Sequence, residues 1–446
     1  MKRKTFLKLS STIAATPLFR KFPDMHLADK LKNWAGNIEY STDNVFYPAT
    51  AEDVKKLLLS KDKMQSLGTR HCFNRIADSK YNLVSSNKLN RVISLDAGTN
   101  TITVEGGMKY GELAPYLQEK GFALHNLASL PHISVAGSIT TATHGSGVKN
   151  GNLASAVRSL EIIKADGSVI NLSKGADDEF EGAVVGLGAL GFINTVTIAI
   201  EPTYEMRQYV FEKLPFAELH DNFEKIMSAG YSVSLFTDWQ GDTINEVWIK
   251  QKTDGPTSFS NQENFYGAKA AIKNMHPIAE LSAENCTEQL GVAGPWYERL
   301  PHFKMGFTPS SGKELQSEYF VPREHAVEAM FTVKKMGNQI GPHLFISEIR
   351  AIAADDLWMS SCRGQDSVTI HFTWKQEWDA VKKLLPQIEE ALSQFNVRPH
   401  WGKLFTISPK TLQSRYPKLP EFKQLVQSMD PGGKFRNQFL NDTIYG

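Results

Sequence analysis

The chain has 446 residues, room for two or three domains at about 150 residues each. Lys plus Arg number 49 against 48 Asp plus Glu, and the net charge of +1 leaves no basic excess for a broad nucleic-acid surface. Hydrophobic residues at 41% exclude a disordered composition, and no apolar run reaches the ~18 residues of a membrane-spanning helix. Cys72, Cys286 and Cys362 are scattered and odd in number, so neither a disulfide framework nor a CxxC metal site is expected.

The chain opens on Lys2, Arg3 and Lys4, followed by a weakly apolar stretch from Phe6 to Phe19, the order of regions in an export signal. Arg3-Lys4-Thr5-Phe6-Leu7-Lys8 is similar to a twin-arginine signal with lysine in the second position, which implies a periplasmic or exported protein; a cytoplasmic extension is the alternative. Residues 1–32 are therefore set apart as signal and linker.

Thr50 before Ala51-Glu52-Asp53 predicts a capped helix through Leu59, and Met64–Leu67 a strand. Arg91–Leu95 and Thr101–Val104 alternate like paired strands, and Gly111–Lys120 reads as a helix closed by Gly121. Asp166-Gly167 between two apolar runs, Leu160–Ile163 and Val169–Leu172, predicts a hairpin. Beyond Pro202 prolines become frequent, with strands expected at Val233–Trp239, Phe345–Ile352 and Val368–Trp374. Helices are expected at Arg323–Lys335 and Glu377–Phe395, the latter interrupted or restarted at Pro386. The reading is α+β in both halves, with a short compact tail after Arg398-Pro399.

Gly186-Leu187-Gly188-Ala189-Leu190-Gly191 satisfies GxGxxG in reversed context. A helical segment precedes it and a β-branched strand follows, so a nicotinamide-dinucleotide turn is not expected. Ser66-Leu67-Gly68-Thr69-Arg70-His71-Cys72 follows a strand, and its glycine turn offers backbone N–H groups to pyrophosphate oxygens. Arg70 adds charge and His71 an imidazole nucleophile; a histidine that is merely hydrogen-bonded is the alternative. The small, hydroxyl-rich stretch from Ala128 to Gly147 suits close backbone approach to a large polar ligand, or else a structural turn. His132 and His144 in it have no carboxylate or cysteine at metal spacing, so no metal is expected. Alternation puts Glu348 and Arg350 on one strand face, and His371 and Thr373 repeat the device; they make the floor of a polar pocket or a solvated sheet face.

GTRHCFN, ASLPHISVAGS, THGSG, SEIR, HFTW and RPHWGK, in that order, resemble the alditol oxidase branch of the vanillyl-alcohol-oxidase (PCMH-type) flavoproteins, from about Asn33 to the C-terminus. The resemblance implies a two-part FAD-binding domain, residues 33–202 with the tail 397–446, and an α+β substrate cap at 203–396. It implies FAD bonded covalently through the His71 imidazole to the isoalloxazine C8 methyl, with no cysteine in the 128–147 stretch for a second link. Cys72 stands where close relatives carry serine. Ser66, Leu67, Gly68, Thr69, Arg70, His71, Cys72, Ser129, Ser134, Gly137, Ser138, Ile139, Thr140, Gly191 and His400 match cofactor contacts. Ser129, Glu348, Arg350, Thr373 and Lys403 match the polyol pocket, and Lys403, Arg350, Glu348 and His371 the catalytic group.

The implied reaction is oxidation of the C1 hydroxyl of alditols such as xylitol or sorbitol by hydride transfer to flavin N5, with O2 reoxidising the flavin to give H2O2. A neutral Lys403, its pKa lowered by Arg350 and desolvation, is the candidate base. A sugar-1,4-lactone oxidase or dehydrogenase is the alternative, and a flavin-binding protein without turnover is a reading of another class. The expected partners are polyol and O2, with no nucleic acid and no membrane span, acting on a monomer.

Overall fold

The computed structural model describes residues 30–254, 263–306 and 313–446, so the expected export signal lies outside the described residues. Thr50 caps the helix Ala51–Ser60, its hydroxyl accepting the Asp53 N–H at 3.1 Å. One turn apart, Val54 and Leu58 bury beside Met64, Val84 and Phe192. The strand Gln65–Leu67 leaves this layer as the edge of a parallel three-stranded sheet with Leu83–Ser85 and Val45–Phe46. An antiparallel five-stranded sheet follows, in the order Val92–Asp96, Thr101–Glu105, Phe192–Ala199, Val157–Ile163, Val169–Ser173. Its last hairpin turns at Gly167, whose φ of +77° suits a residue without a side chain. Around the GxGxxG run, the helix Phe180–Val184 precedes and the strand Phe192–Ala199 follows, the reverse of a dinucleotide turn.

Residues beyond 202 build an antiparallel ten-stranded sheet. Its central order is Glu205–Pro215, Thr243–Lys252, Ser232–Thr237, Leu344–Ile352, Ser367–Lys375, Glu314–Pro322, with Arg398–Pro399 at the far edge. One face carries Leu235, Val247, Ile249, Ile349, Ile370 and Tyr319 into a core shared with the helices Glu218–Met227, Ala326–Lys334 and Trp378–Ala391. The last of these runs unbroken through Pro386, against the expected interruption. Pro386 and Lys382 both sit on the exposed face, so water can serve the carbonyl that loses its helix donor.

After Arg398–Pro399 the chain leaves the large sheet. Leu412, Leu419, Phe422 and Val426 join the core of the five-stranded sheet, with Val104, Leu160 and Val196. Phe435 packs with Val54 and Leu58, and Met64 N–H donates to the Lys434 carbonyl at 3.0 Å. The tail from Leu412 onward thus shares a core with the first 200 residues, while Leu404, Phe405 and Ile407 also pack against the core of the large sheet.

Candidate functional site

The register of the large sheet sets the polar wall. Glu348, His371 and Glu318 stand directly opposite one another on three adjacent strands. The next positions on the same face are Arg350, Thr369 and Phe320 to one side and Ile346, Thr373 and Gln316 to the other. Glu318 is wholly buried, and Glu348, Arg350, His371 and Thr373 are between 5% and 8% exposed, which excludes the solvated sheet face. Glu318 accepts from Arg350 Nη2 at 2.7 Å and from Lys403 Nζ at 2.6 Å, one cation on each oxygen. Asn74 reaches across from the histidine loop and donates to the Trp401 and Lys403 carbonyls at 2.7 Å each, tying Lys403 to that loop.

Burial alone would raise Glu318, but Lys403, Arg350 and His144 overcome it and hold the carboxyl well below its ordinary range. Glu348 follows the same balance, with Arg350 and His302 overriding burial. Burial lowers Lys403; ionised Glu318 opposes this and Arg350 adds to it. Burial, with Lys403 and Arg350, keeps His371 well below the usual imidazole range and therefore neutral. Both of its ring nitrogens are buried without a partner.

Opposite this wall a cavity of about 580 Å³ opens onto the histidine loop, Ser129, and the short helix Val135–Ile139. His71 stacks on Trp34 at 5.3 Å between ring centres, and its Nδ1 lies 3.0 Å from Thr69 Oγ1. Burial and His132 push it down to about 4, so it is neutral at pH 7. Its Nε2, Ser66 Oγ and Ser134 Oγ are buried without partners. Gly68 and Gly137 converge there, where a Cβ would stand 2.8 and 2.9 Å from Ser134 Oγ. Unsatisfied donors and acceptors around a cradle closed to side chains fit a large polar cofactor such as FAD.

All but one of the residues expected at the cofactor and substrate line this cavity. Ile139 does not; it is fully buried in the hydrophobic core. Arg70 lines it and donates from its guanidinium to the Lys32 carbonyl at 2.8 Å. Ser138 and Thr140 donate their hydroxyls to main-chain carbonyls of their own turn, and their N–H groups bond the Ser134 and Ala136 carbonyls.

Residues 42–173 match the family model "FAD binding domain", and residues 308–443 match "D-arabinono-1,4-lactone oxidase". An alditol oxidase of a Streptomyces species is 44% identical over 94% of this chain and all of its own length. The chain belongs to the alditol oxidase branch of the vanillyl-alcohol-oxidase flavoproteins. As a member of that family it is an FAD-dependent oxidoreductase. The L-gulonolactone oxidase of Mus musculus is more distant, 25% identical over 93% of this chain and 98% of its own. A solved cholesterol oxidase from B. sterolicum shares the fold, with a TM-score of 0.74 at 15% identity over 97% of this chain and 100% of its own.

The resemblance did not bring out Glu318, His302 or Lys250, which the structure places at or behind the polar wall. Glu318 follows the same alternation as Glu348, in a strand that composition did not single out. His144, Glu318 and His400 bring ligand atoms within 4.8 Å of one another, a metal-like arrangement. Lys403 and Arg350 already occupy both Glu318 oxygens, and their charges oppose a cation there. His302, 2.7 Å from Glu348 through Nε2, and Lys250 behind it lie in stretches without a functional motif.

Proposed function

We propose that this protein oxidises the C1 hydroxyl of alditols such as xylitol or sorbitol to the aldose, with FAD joined covalently to His71. Residues 33–202 and 397–446 form the cofactor domain, and 203–396 the substrate cap. Bound FAD supplies the hydride acceptor at N5, and O2 takes up the electrons to give H2O2. The observation that carries the reading is the buried wall of Glu348, His371 and the Lys403–Glu318–Arg350 network facing the flavin cradle. An alditol is a neutral row of hydroxyls, and this wall is a row of donors and acceptors, not an anion clamp. Sites of this kind reject analogues that lack a hydroxyl by about 10⁴-fold, because buried polar groups are then unpaired.

As a neutral amine, Lys403 gives one N–H to Glu318 and keeps a lone pair for the C1 hydroxyl. The ammonium formed on taking that proton is held by ionised Glu318. Arg350, anchored on the other Glu318 oxygen, stabilises the developing alkoxide. Glu348 accepts from the next hydroxyls, neutral His371 offers one donor and one acceptor, and Ser129 and Thr373 complete the row. The neutral, partner-free Nε2 of His71 supports the covalent link.

The match of residues 308–443 to D-arabinono-1,4-lactone oxidase favours a second reading, a sugar-1,4-lactone as substrate. Visible absorbance of the anaerobic protein separates the two. Bleaching by xylitol or sorbitol and not by gulonolactone, with recolouring in air, is the expected result. Bleaching by the lactone alone would transfer the assignment to that substrate. Lys403→Met is expected to slow bleaching by a hundredfold or more, on the order of general-base catalysis.

A further inference from the structure

Lys250 lies on the strand Thr243–Lys252, buried at 1% exposure between Gln208 and Ser232 of the neighbouring strands. A buried ammonium carries three N–H donors and needs three acceptors. Lys250 has them: the Leu300 carbonyl at 2.5 Å, the Pro301 carbonyl at 3.1 Å and His302 Nδ1 at 3.3 Å. An ammonium can only donate, so the His302 Nδ1 facing it carries the lone pair and the ring proton sits on Nε2. That nitrogen stands 2.7 Å from Glu348 Oε1, at the cavity wall. Phe236 and Trp248 pack edge-on against the imidazole, with ring centres 5.4 and 5.3 Å away, and fix its plane.

We propose that Lys250 and His302 are positioning residues that hold the Glu348 carboxylate ionised and aimed at the substrate hydroxyls, and that this hold is released when Lys250 gives up its proton. The proposal rests on the reading that Glu348 binds the polyol. Burial pushes Lys250 down to about 7; Glu348 and Cys286 oppose the shift, while Arg299 and Arg350 add to it. Burial and Lys250 push His302 down to about 4, against Glu348, so the ring is neutral through the working range. Below about pH 7 the ammonium fixes the tautomer. Above it the amine has a lone pair, the ring proton can move to Nδ1, and the Nε2 lone pair then faces the carboxylate and repels it.

The test is the KM for xylitol of four flavin-loaded proteins: wild type, His302→Phe, His302→Gln and Glu348→Gln, each at about pH 6 and about pH 8.5. Phenylalanine keeps the aromatic packing and loses the donor. Glutamine places an N–H where Nε2–H was and cannot titrate. In the wild type KM rises between the two pH values. At the lower pH, His302→Phe raises KM about tenfold or more with a smaller change in kcat, as expected for a lost hydrogen bond to a charged group. His302→Gln restores KM to near the wild-type value and removes its pH dependence. If His302→Phe leaves KM within about twofold while Glu348→Gln raises it, the positioning role is wrong and the pocket reading stands. If His302→Gln keeps the wild-type pH dependence, the switch through Lys250 is wrong. If Glu348→Gln leaves KM unchanged, the reading of the pocket fails and the positioning role falls with it.

Discussion

Glu318 touches both cations of the proposed machinery, so its replacement separates charge from shape. Glu318→Gln keeps the volume and takes from Lys403 and Arg350 the carboxylate they share, leaving Glu348, 3.5 Å from Arg350 Nε, as the remaining negative charge. Removing one partner of a buried ion pair costs about 3–5 kcal/mol, and a matching fall in the temperature of flavin release is expected. The kinetic consequence has a definite sign. Ionised Glu318 raises the Lys403 pKa against burial and Arg350, so its loss lets that pKa fall. Flavin reduction requires neutral Lys403 and rises with pH, and in the variant this rise should move to lower pH. Stopped-flow reduction by xylitol across pH reads this directly; an unmoved limb would remove Lys403 as the base. His71→Ala addresses the other wall. After acid precipitation the yellow colour should stay with the wild-type pellet and pass to the supernatant of the variant. Colour in the wild-type supernatant would end the covalent assignment.

The strands show why some of the site was legible and some was not. Alternation in Leu344–Ile352 and Ser367–Lys375 put Glu348 with Arg350 and His371 with Thr373, and the sheet keeps those pairs on one face. The same period in Glu314–Pro322 carries Gln316, Glu318 and Phe320 to that face. The sequence could not say that this strand lies beside His371, since pairing is a property of the sheet and not of the segment. His302 comes from irregular chain, where no period exists to read. Pro386 failed as a breaker because a helix tolerates proline where its missing donor faces water. Glycine placement was more transparent. Gly191 has a φ of +140° and a built Cβ would lie 2.6 Å from the Ile163 carbonyl. Gly191→Ala therefore strains the backbone by about 1–3 kcal/mol and pushes the strand entry at the cradle. FAD content per purified chain should fall; full occupancy with unchanged thermal stability would show that this turn does not shape the cradle.

At the scale of the whole molecule, the buried polar wall sets how stability depends on pH. His71, His125, His144, His276, His302, His371 and His400 all have pKa values lowered by burial. A histidine depressed in the folded state takes up its proton first in the unfolded chain, from about pH 6.5 downward. Folding stability then falls as pH falls, because the unfolded state binds more protons. Four buried carboxyls act in the opposite direction: Glu246 and Glu314 rise to about 7, Asp355 to about 6, and Glu389 also rises. Those groups are protonated in the folded protein before the unfolded one, and they gain stability as pH drops toward about 4.5. Among the described residues, seven such histidines against four such carboxyls leave the unfolded chain as the larger proton acceptor between about pH 6.5 and pH 4.5. Below that range Glu318 and Glu348, held down by their cations, add to the loss as the unfolded chain protonates first. The temperature of flavin fluorescence release, followed from about pH 7 to pH 4.5, should therefore decrease throughout. An increase over the upper part of that interval would mean that the raised carboxyls outweigh the histidines.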